Sequence, residues 1–197
     1  MLSNVDSKDS VVVHEPQSII DARLVAASRR GDMQAFEKLY RAHNARVYGL
    51  CLRMTRSPDV AEECVQMAFV RAWQSLQAFE GRSAFGTWLH RIAVNEVLSH
   101  RRNRGTRQES DDESVTHYVE SDVGAERFDP LDVVDVERAL DTLPEGARDA
   151  IVLQTVYGYS HEEVSEMLGV AVGTCKAQVH RGRRLLRERL GMTEVAE

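Results

Sequence analysis

The chain has 197 residues, 43% hydrophobic and 28% charged, an ordinary globular composition with room for one or two small domains. No apolar run approaches the roughly 20 residues of a membrane span. The opening MLSNVDSKDS has neither the basic start nor the apolar core of a signal peptide, so a cytoplasmic protein is expected. A net charge of −6 would argue against a nucleic-acid partner only if it were spread evenly, which it is not.

Residues 1–18 are polar apart from Val11 to Val13 and read as an N-terminal tail. From 19 to 104 the apolar residues recur at helical spacing, interrupted at Ser57-Pro58-Asp59, which reads as a turn and a helix start. The end of this domain is basic: between Gly81 and Arg107 six arginines stand against one acid, Glu96, a local +5. Phe79, Phe85 and Trp88 lie among these charges. Phe85, Trp88, Leu89 and Ile92 form one stripe of the expected helix, and Thr87, Arg91, Asn95, Ser99 and Arg102 another. Aromatic groups beside a basic helix can stack unpaired bases. Trp88 also reads as core, and Asn95 as a base reader or a solvent-facing side chain.

Residues 105–131 are poor in large apolar groups and bounded by Gly105 and Pro130, the composition of a flexible linker. Between Gln108 and Glu137 eleven acids face one base, Arg127, a local −10. One expectation from this balance is that the linker covers the basic helices of the free protein.

Residues 132–191 form a second helical domain, with 192–197 as a C-terminal tail. Ser160 followed by Glu163 is a capping box, and Val164, Met167 and Leu168 share one face behind it. Gly169 ends the helix, and the next is expected to start near Gly173 or Thr174, with Thr174 as N-cap. In the second helix Cys175, Val179, Gly182 and Leu186 stack on one side. Lys176, Ala177, His180, Arg181 and Arg184 occupy the other, with Gln178 on the flank. From Thr174 to Gly191 six basic residues oppose Glu188, a local +5. Two short helices about a tight turn, the second basic outside and apolar inside, make a helix-turn-helix that places a recognition helix in the major groove. A basic helix by itself would read as a solvated face; the cap, the turn and the apolar inner face favour DNA.

Cys51, Cys64 and Cys175 match no zinc spacing and read as small buried hydrophobes, and the seven histidines are scattered. No phosphate-cradling glycine loop, metal cluster or nucleophile–base pair is present, so neither an enzyme nor a cofactor is expected. The fold class is all-α: two small helical domains joined by an acidic linker. Domains of this size bury modest cores, so mutual packing or a partner is expected to stabilise them.

DARLVAASRRGDMQAFEKLYRAHNARVY (21–48), DVAEECVQMAFVRAWQSLQAF (59–79), SAFGTWLHRIAVNEVLSHRR (83–102) and ALDTLPEGARDAIVL (139–153) followed by the helix-turn-helix occur in this order. Together they resemble an extracytoplasmic-function (ECF) sigma factor, a dissociable specificity subunit of bacterial RNA polymerase. The resemblance implies a region-2-like domain (19–104) that docks on the polymerase clamp helices through Glu62, Glu63 and Gln66. It also implies that this domain captures the unwound minus-10 strand with the Gly81 to Gly86 loop and Arg82, Ser83, Trp88, Arg91, Asn95, Arg101 and Arg102. A region-4-like domain (132–191) would sit at the flap and read the duplex minus-35 element. Thr174, Lys176, Ala177, Gln178, His180 and Arg181 would address the groove, and Arg183 and Arg184 phosphates. Many relatives are held inactive by an anti-sigma protein over the polymerase-binding face, a further partner the resemblance allows. The chain departs from the family in carrying Met67 where an acid is usual, and Ala177-Gln178 where Ser-Arg is frequent. A conventional helix-turn-helix regulator, dimeric on a palindrome, is the alternative; it has no need of a second basic, aromatic-bearing helix.

Overall fold

The computed structural model describes residues 15–111 and 133–191. The first half contains α1 (Gln17–Arg29), α2 (Met33–Thr55), α3 (Pro58–Ser75) and α4 (Phe85–Asp111). The second contains α5 (Val133–Asp141), α6 (Glu145–Ile151), α7 (His161–Leu168) and α8 (Val172–Arg189). The all-α expectation therefore holds among the described residues. Helix α1 takes in the last residues assigned to the tail, and α4 runs on to Asp111, past the expected boundary at 104. The remainder of the acidic segment, with its expected screening role, lies outside the described residues.

Local chemistry explains where the helices begin. The Asp32 carboxylate accepts hydrogen bonds from the amides of Gln34 and Ala35 and caps α2. Ser57 caps α3 by accepting from the Val60 amide, and Pro58 fits the first turn, where its missing N–H costs nothing. Between them Arg56 closes α2 in the left-handed region at φ 57, where a non-glycine residue is uncommon.

The core of the first half forms where α2, α3 and α4 meet. Leu39, Val47, Leu50 and Met54 of α2 face Ala61, Val65, Ala68 and Phe69 of α3 and Leu89, Ala93 and Val97 of α4, all buried. Alanines along α3 let its backbone approach its neighbours closely. The second half packs Leu140, Leu143, Ala147, Ile151, Leu153, Val164, Cys175 and Val179. Apart from Ala147, the two sets join into one apolar cluster, so the halves pack against each other.

A buried polar clamp sets the start of α4. His43 Nε2 lies 2.8 Å from Asp21 Oδ2, and Gln17 Nε2 donates to Asp21 Oδ1 at 2.7 Å. The His43 ring stands edge-on to Phe85, and a Cβ at Gly86 would come within 3.3 Å of its Cε1. Helices α1 and α2 thus fix the N-terminal turn of α4. Asp21→Ala is expected to cost about 1–3 kcal/mol, because a buried imidazole loses its acceptor. Thermal denaturation checks this, and a variant that melts with the wild type would show the clamp to be idle.

Candidate nucleic-acid and polymerase interface

Helix α7 is built as its sequence dictates. The Ser160 hydroxyl accepts from the Glu163 amide at 3.2 Å, the Glu163 carboxylate accepts from the Ser160 amide at 2.9 Å, and Gly169 ends the helix at φ 66. Helix α8 differs from expectation at its start. It begins at Val172 with Ala171 as N-cap and no side-chain cap, so Thr174 lies inside the first turn instead of capping it. The Cys175 amide donates to the Ala171 carbonyl, and helical hydrogen bonding is already under way before Thr174.

Once started, α8 divides as its periodicity implies. Cys175, Val179 and Gly182 are buried against α6 and α7, while Thr174, Lys176, Ala177, His180, Arg181, Arg183 and Arg184 are exposed. Arg183 donates to Gln154 Oε1, and Arg184 lies 3.7 Å from Glu188. Gln178 stands apart from this face. Its amide packs 3.4 Å from a Cβ position at Gly146, and its Oε1 is buried without a partner. The open face of α8 therefore offers two cations, an imidazole and a methyl group near its N-terminal end, chemistry suited to base edges and phosphates in a major groove.

The expected minus-10 residues fall into two groups. Arg82 and Ser83 are exposed on the loop before α4, where Arg82 pairs with Glu80 and Gly81 takes φ 71. Asn95 and Arg102 are exposed along α4. Trp88 is half-buried, with its ring 4.8 Å from Phe79 and 5.8 Å from Phe85, so one face is already occupied. Arg91 and Arg101 point toward the second half of the molecule. On α3, Glu62, Glu63 and Gln66 are exposed together with Met67 and Val70, an acidic surface with an apolar margin.

Mutual packing of the halves is among the expectations, but sequence reasoning missed the residues that make the contact. Asp149 on α6 is buried, and its carboxylate takes Arg101 bidentately, at 2.5 Å from Nη1 and 3.2 Å from Nη2. Arg101 and Arg148 both donate to the Met54 carbonyl at the end of α2. Burial pushes the Asp149 carboxyl above its ordinary range, against the pull of the Arg101 guanidinium. Around this centre Arg53 pairs with Glu137, Arg56 donates to the Asp141 carbonyl and Arg91 meets Glu166 at 3.2 Å. Tyr157 donates to the Arg46 carbonyl, and the Tyr159 hydroxyl lies 2.6 Å from His90 Nδ1. Burial holds His90 neutral, with its pKa pushed down to about 4.

All three thiols are buried, as expected. Burial raises Cys51 to about 12 and Cys64 to about 11, so both remain unreactive thiols near neutrality. Among the described residues no group of His, Cys, Asp and Glu is arranged to hold a metal ion. No helix there is long and apolar enough to cross a membrane.

A helix-turn-helix with an open basic face, joined to a second helical domain with basic and acidic surfaces of its own, defines a DNA-binding protein of transcription. Residues 39–107 match Sigma-70 region 2, and residues 134–186 match Sigma-70, region 4. The chain is 36% identical over 168 residues to the ECF RNA polymerase sigma factor SigE of Mycolicibacterium smegmatis, covering 84% of this chain and 65% of that one. It is 32% identical over 180 residues to the ECF RNA polymerase sigma-E factor of Escherichia coli K12, covering 86% of this chain and 94% of that one. The structure is similar to that of the sigma factor RpoE in complex with the anti-sigma factor NepR from Bartonella quintana. There the TM-score is 0.64 at 28% identity, covering 82% of this chain and 100% of that one. The chain belongs to the ECF sigma factors, which are non-catalytic subunits that direct RNA polymerase to promoters for the initiation of transcription.

Proposed function

We propose a division of labour along the chain. Residues 19–104 form the unit that binds polymerase and the minus-10 strand. Glu62, Glu63 and Gln66 of α3 face the clamp helices, while Arg82 and Ser83 of the loop, with Asn95, Arg102, Arg91 and Arg101 of α4, take the melted strand. Trp88 offers its one free face to an unstacked base. Residues 132–191 form the unit that sits at the flap and reads the minus-35 duplex through Lys176, Ala177, His180 and Arg181. The protein works in the cytoplasm, where its polymerase is.

The observation that carries this reading is the partition of α8, with a buried apolar side and an exposed side of four cations and a histidine. Melting needs binding energy and no bond-making chemistry, because capturing an unstacked base offsets its unpairing. An anti-sigma protein would cover the exposed face of α3, where Met67 (41% exposed) and Val70 (46%) give it an apolar grip.

Run-off transcription with core polymerase and a pool of promoter fragments tests the assignment. Glu62→Lys with Glu63→Lys is expected to abolish start-specific transcripts while leaving duplex binding by the free protein unchanged. Transcription at the wild-type level would remove the polymerase contact from α3.

A further inference from the structure

We infer that Asp21, Arg29 and His43 are positioning residues for minus-10 recognition: from behind the DNA face they hold both ends of the loop that takes the melted strand. The inference rests on the assignment of the Gly81 to Gly86 loop to that strand. None of the three is among the residues assigned to DNA or polymerase.

The loop has little of its own to fix its path. Glu80 to Ala84 are all exposed, and the chain is buried on either side of them at Phe79 and Phe85. These two rings meet edge to face with centroids 6.0 Å apart, which closes the base of the loop. Inside it Gly81 turns the chain at φ 71, Arg82 pairs with Glu80, and the Ser83 hydroxyl donates to the neighbouring Ala84 carbonyl. Exposed local contacts of this kind contribute little, so the path is set at the ends.

Both ends lead to α1. At the entry, Arg29 Nε donates to the Leu76 carbonyl at 3.0 Å, and the Gln77 amide donates back to the Arg29 carbonyl at 2.7 Å. Leu76–Ala78 is a single 3-10 turn, closed by the Phe79 amide on the Leu76 carbonyl directly before the loop. At the exit, His43 is held by Asp21 and stands against Phe85 and Gly86. Arg29 follows Asp21 by about two turns, so roughly 12 Å of one helix spans the two anchors.

Polar chemistry at the exit is a costly choice for stability alone. Asp21 and His43 are 4% and 8% exposed, and a buried ionisable pair is often no better than apolar residues of like volume. What the pair adds is direction. The Asp21 carboxylate, itself fixed by Gln17, accepts from one edge of the imidazole and sets the orientation of the ring. That ring occupies the space beside Gly86, where a Cβ would lie 3.3 Å from its Cε1. An extruded base is read by a pocket, and ordering the walls of that pocket beforehand removes their entropy cost from binding.

The test uses holoenzyme formed from core polymerase and the full chain. The probe is a labelled single strand carrying the minus-10 element of a promoter located by run-off transcription. The same strand with each base of the element changed in turn reads discrimination. His43→Ala and Arg29→Ala are expected to weaken binding of the unchanged strand about tenfold and to narrow its preference over the changed ones. Affinity for core polymerase and for a minus-35 duplex should stay at the wild-type level. Asp21→Asn keeps a hydrogen-bonding partner for His43 and should bind the strand within about twofold of the wild type. A loss there as large as that of His43→Ala would overturn the orienting role of the hydrogen bond. Val97→Ala removes core volume toward the other end of α4 and reports destabilisation alone. If His43→Ala and Arg29→Ala bind and discriminate as Val97→Ala does, the anchors serve stability and the inference falls. Should His43→Ala not fold, Arg29→Ala carries the same comparison, since Arg29 is only half-buried. Arg82→Ala with Ser83→Ala checks the underlying assignment. Wild-type strand binding by that variant would remove the loop from the strand site and the inference with it. Weakened binding there, with His43→Ala and Arg29→Ala unaffected, would remove the anchors alone.

Discussion

Gly182→Val is expected to dismantle the helix-turn-helix. A Cβ at residue 182 would lie 2.6 Å from Ile151 Cγ1 and 3.3 Å from the Ala147 carbonyl oxygen, because α8 crosses α6 there at closest approach. The sign follows from comparing magnitudes. Replacing glycine inside a helix by a residue with a Cβ usually gains about 0.5–1 kcal/mol in propensity. Overpacking a tight core costs about 1–3 kcal/mol, and the backbone carbonyl here leaves α6 little freedom to retreat. The loss therefore wins, and β-branching adds to it. Thermal denaturation by circular dichroism should show a lower or split transition, and minus-35 duplex binding should be lost. Alanine should show a smaller effect in the same direction. If either variant melted at or above the wild-type temperature, the close crossing of α6 and α8 would be wrong.

Lys176→Ala with Arg181→Ala is expected to remove promoter recognition without touching the fold. Both side chains are exposed on the open face of α8, so stability should change by no more than about 0.5 kcal/mol. A base-reading side chain contributes about 1–3 kcal/mol, and each phosphate contact about one unit of the salt slope. The double variant should therefore bind the minus-35 duplex weakly at all salt concentrations, with a flatter dependence on salt. Start-specific transcripts should disappear from promoters that need a minus-35 element. Unchanged affinity would move duplex recognition off this face.

What the sequence disclosed and what it hid divide along physical lines. The capping box of Ser160 and Glu163, the stop at Gly169 and the inner face of Cys175, Val179 and Gly182 are local or periodic features, and they stand as read. Thr174 is a good cap by type, yet the chain enters α8 at Ala171, three residues earlier. Gly105 and the acids after it are end signals by type, yet α4 runs through them to Asp111. Spacing puts Gln178 on the flank of the DNA face, yet Gly146 opposite leaves a niche into which its amide turns. Asp149 carried no signal, since a lone acid among helical residues looks solvated until its partner, 48 residues earlier, is placed beside it.

The buried thiols also have a use. Cys51 and Cys64 lie in the core of the first half and Cys175 in that of the second. None can react with an alkylating reagent until the core around it opens, so the modification rate of each is a clock of local unfolding. The chain thus carries a built-in timer in each half, readable by mass spectrometry without any added label. Agreement between the two clocks would mean that the halves breathe as one body, and divergence would tell which of them lets go first.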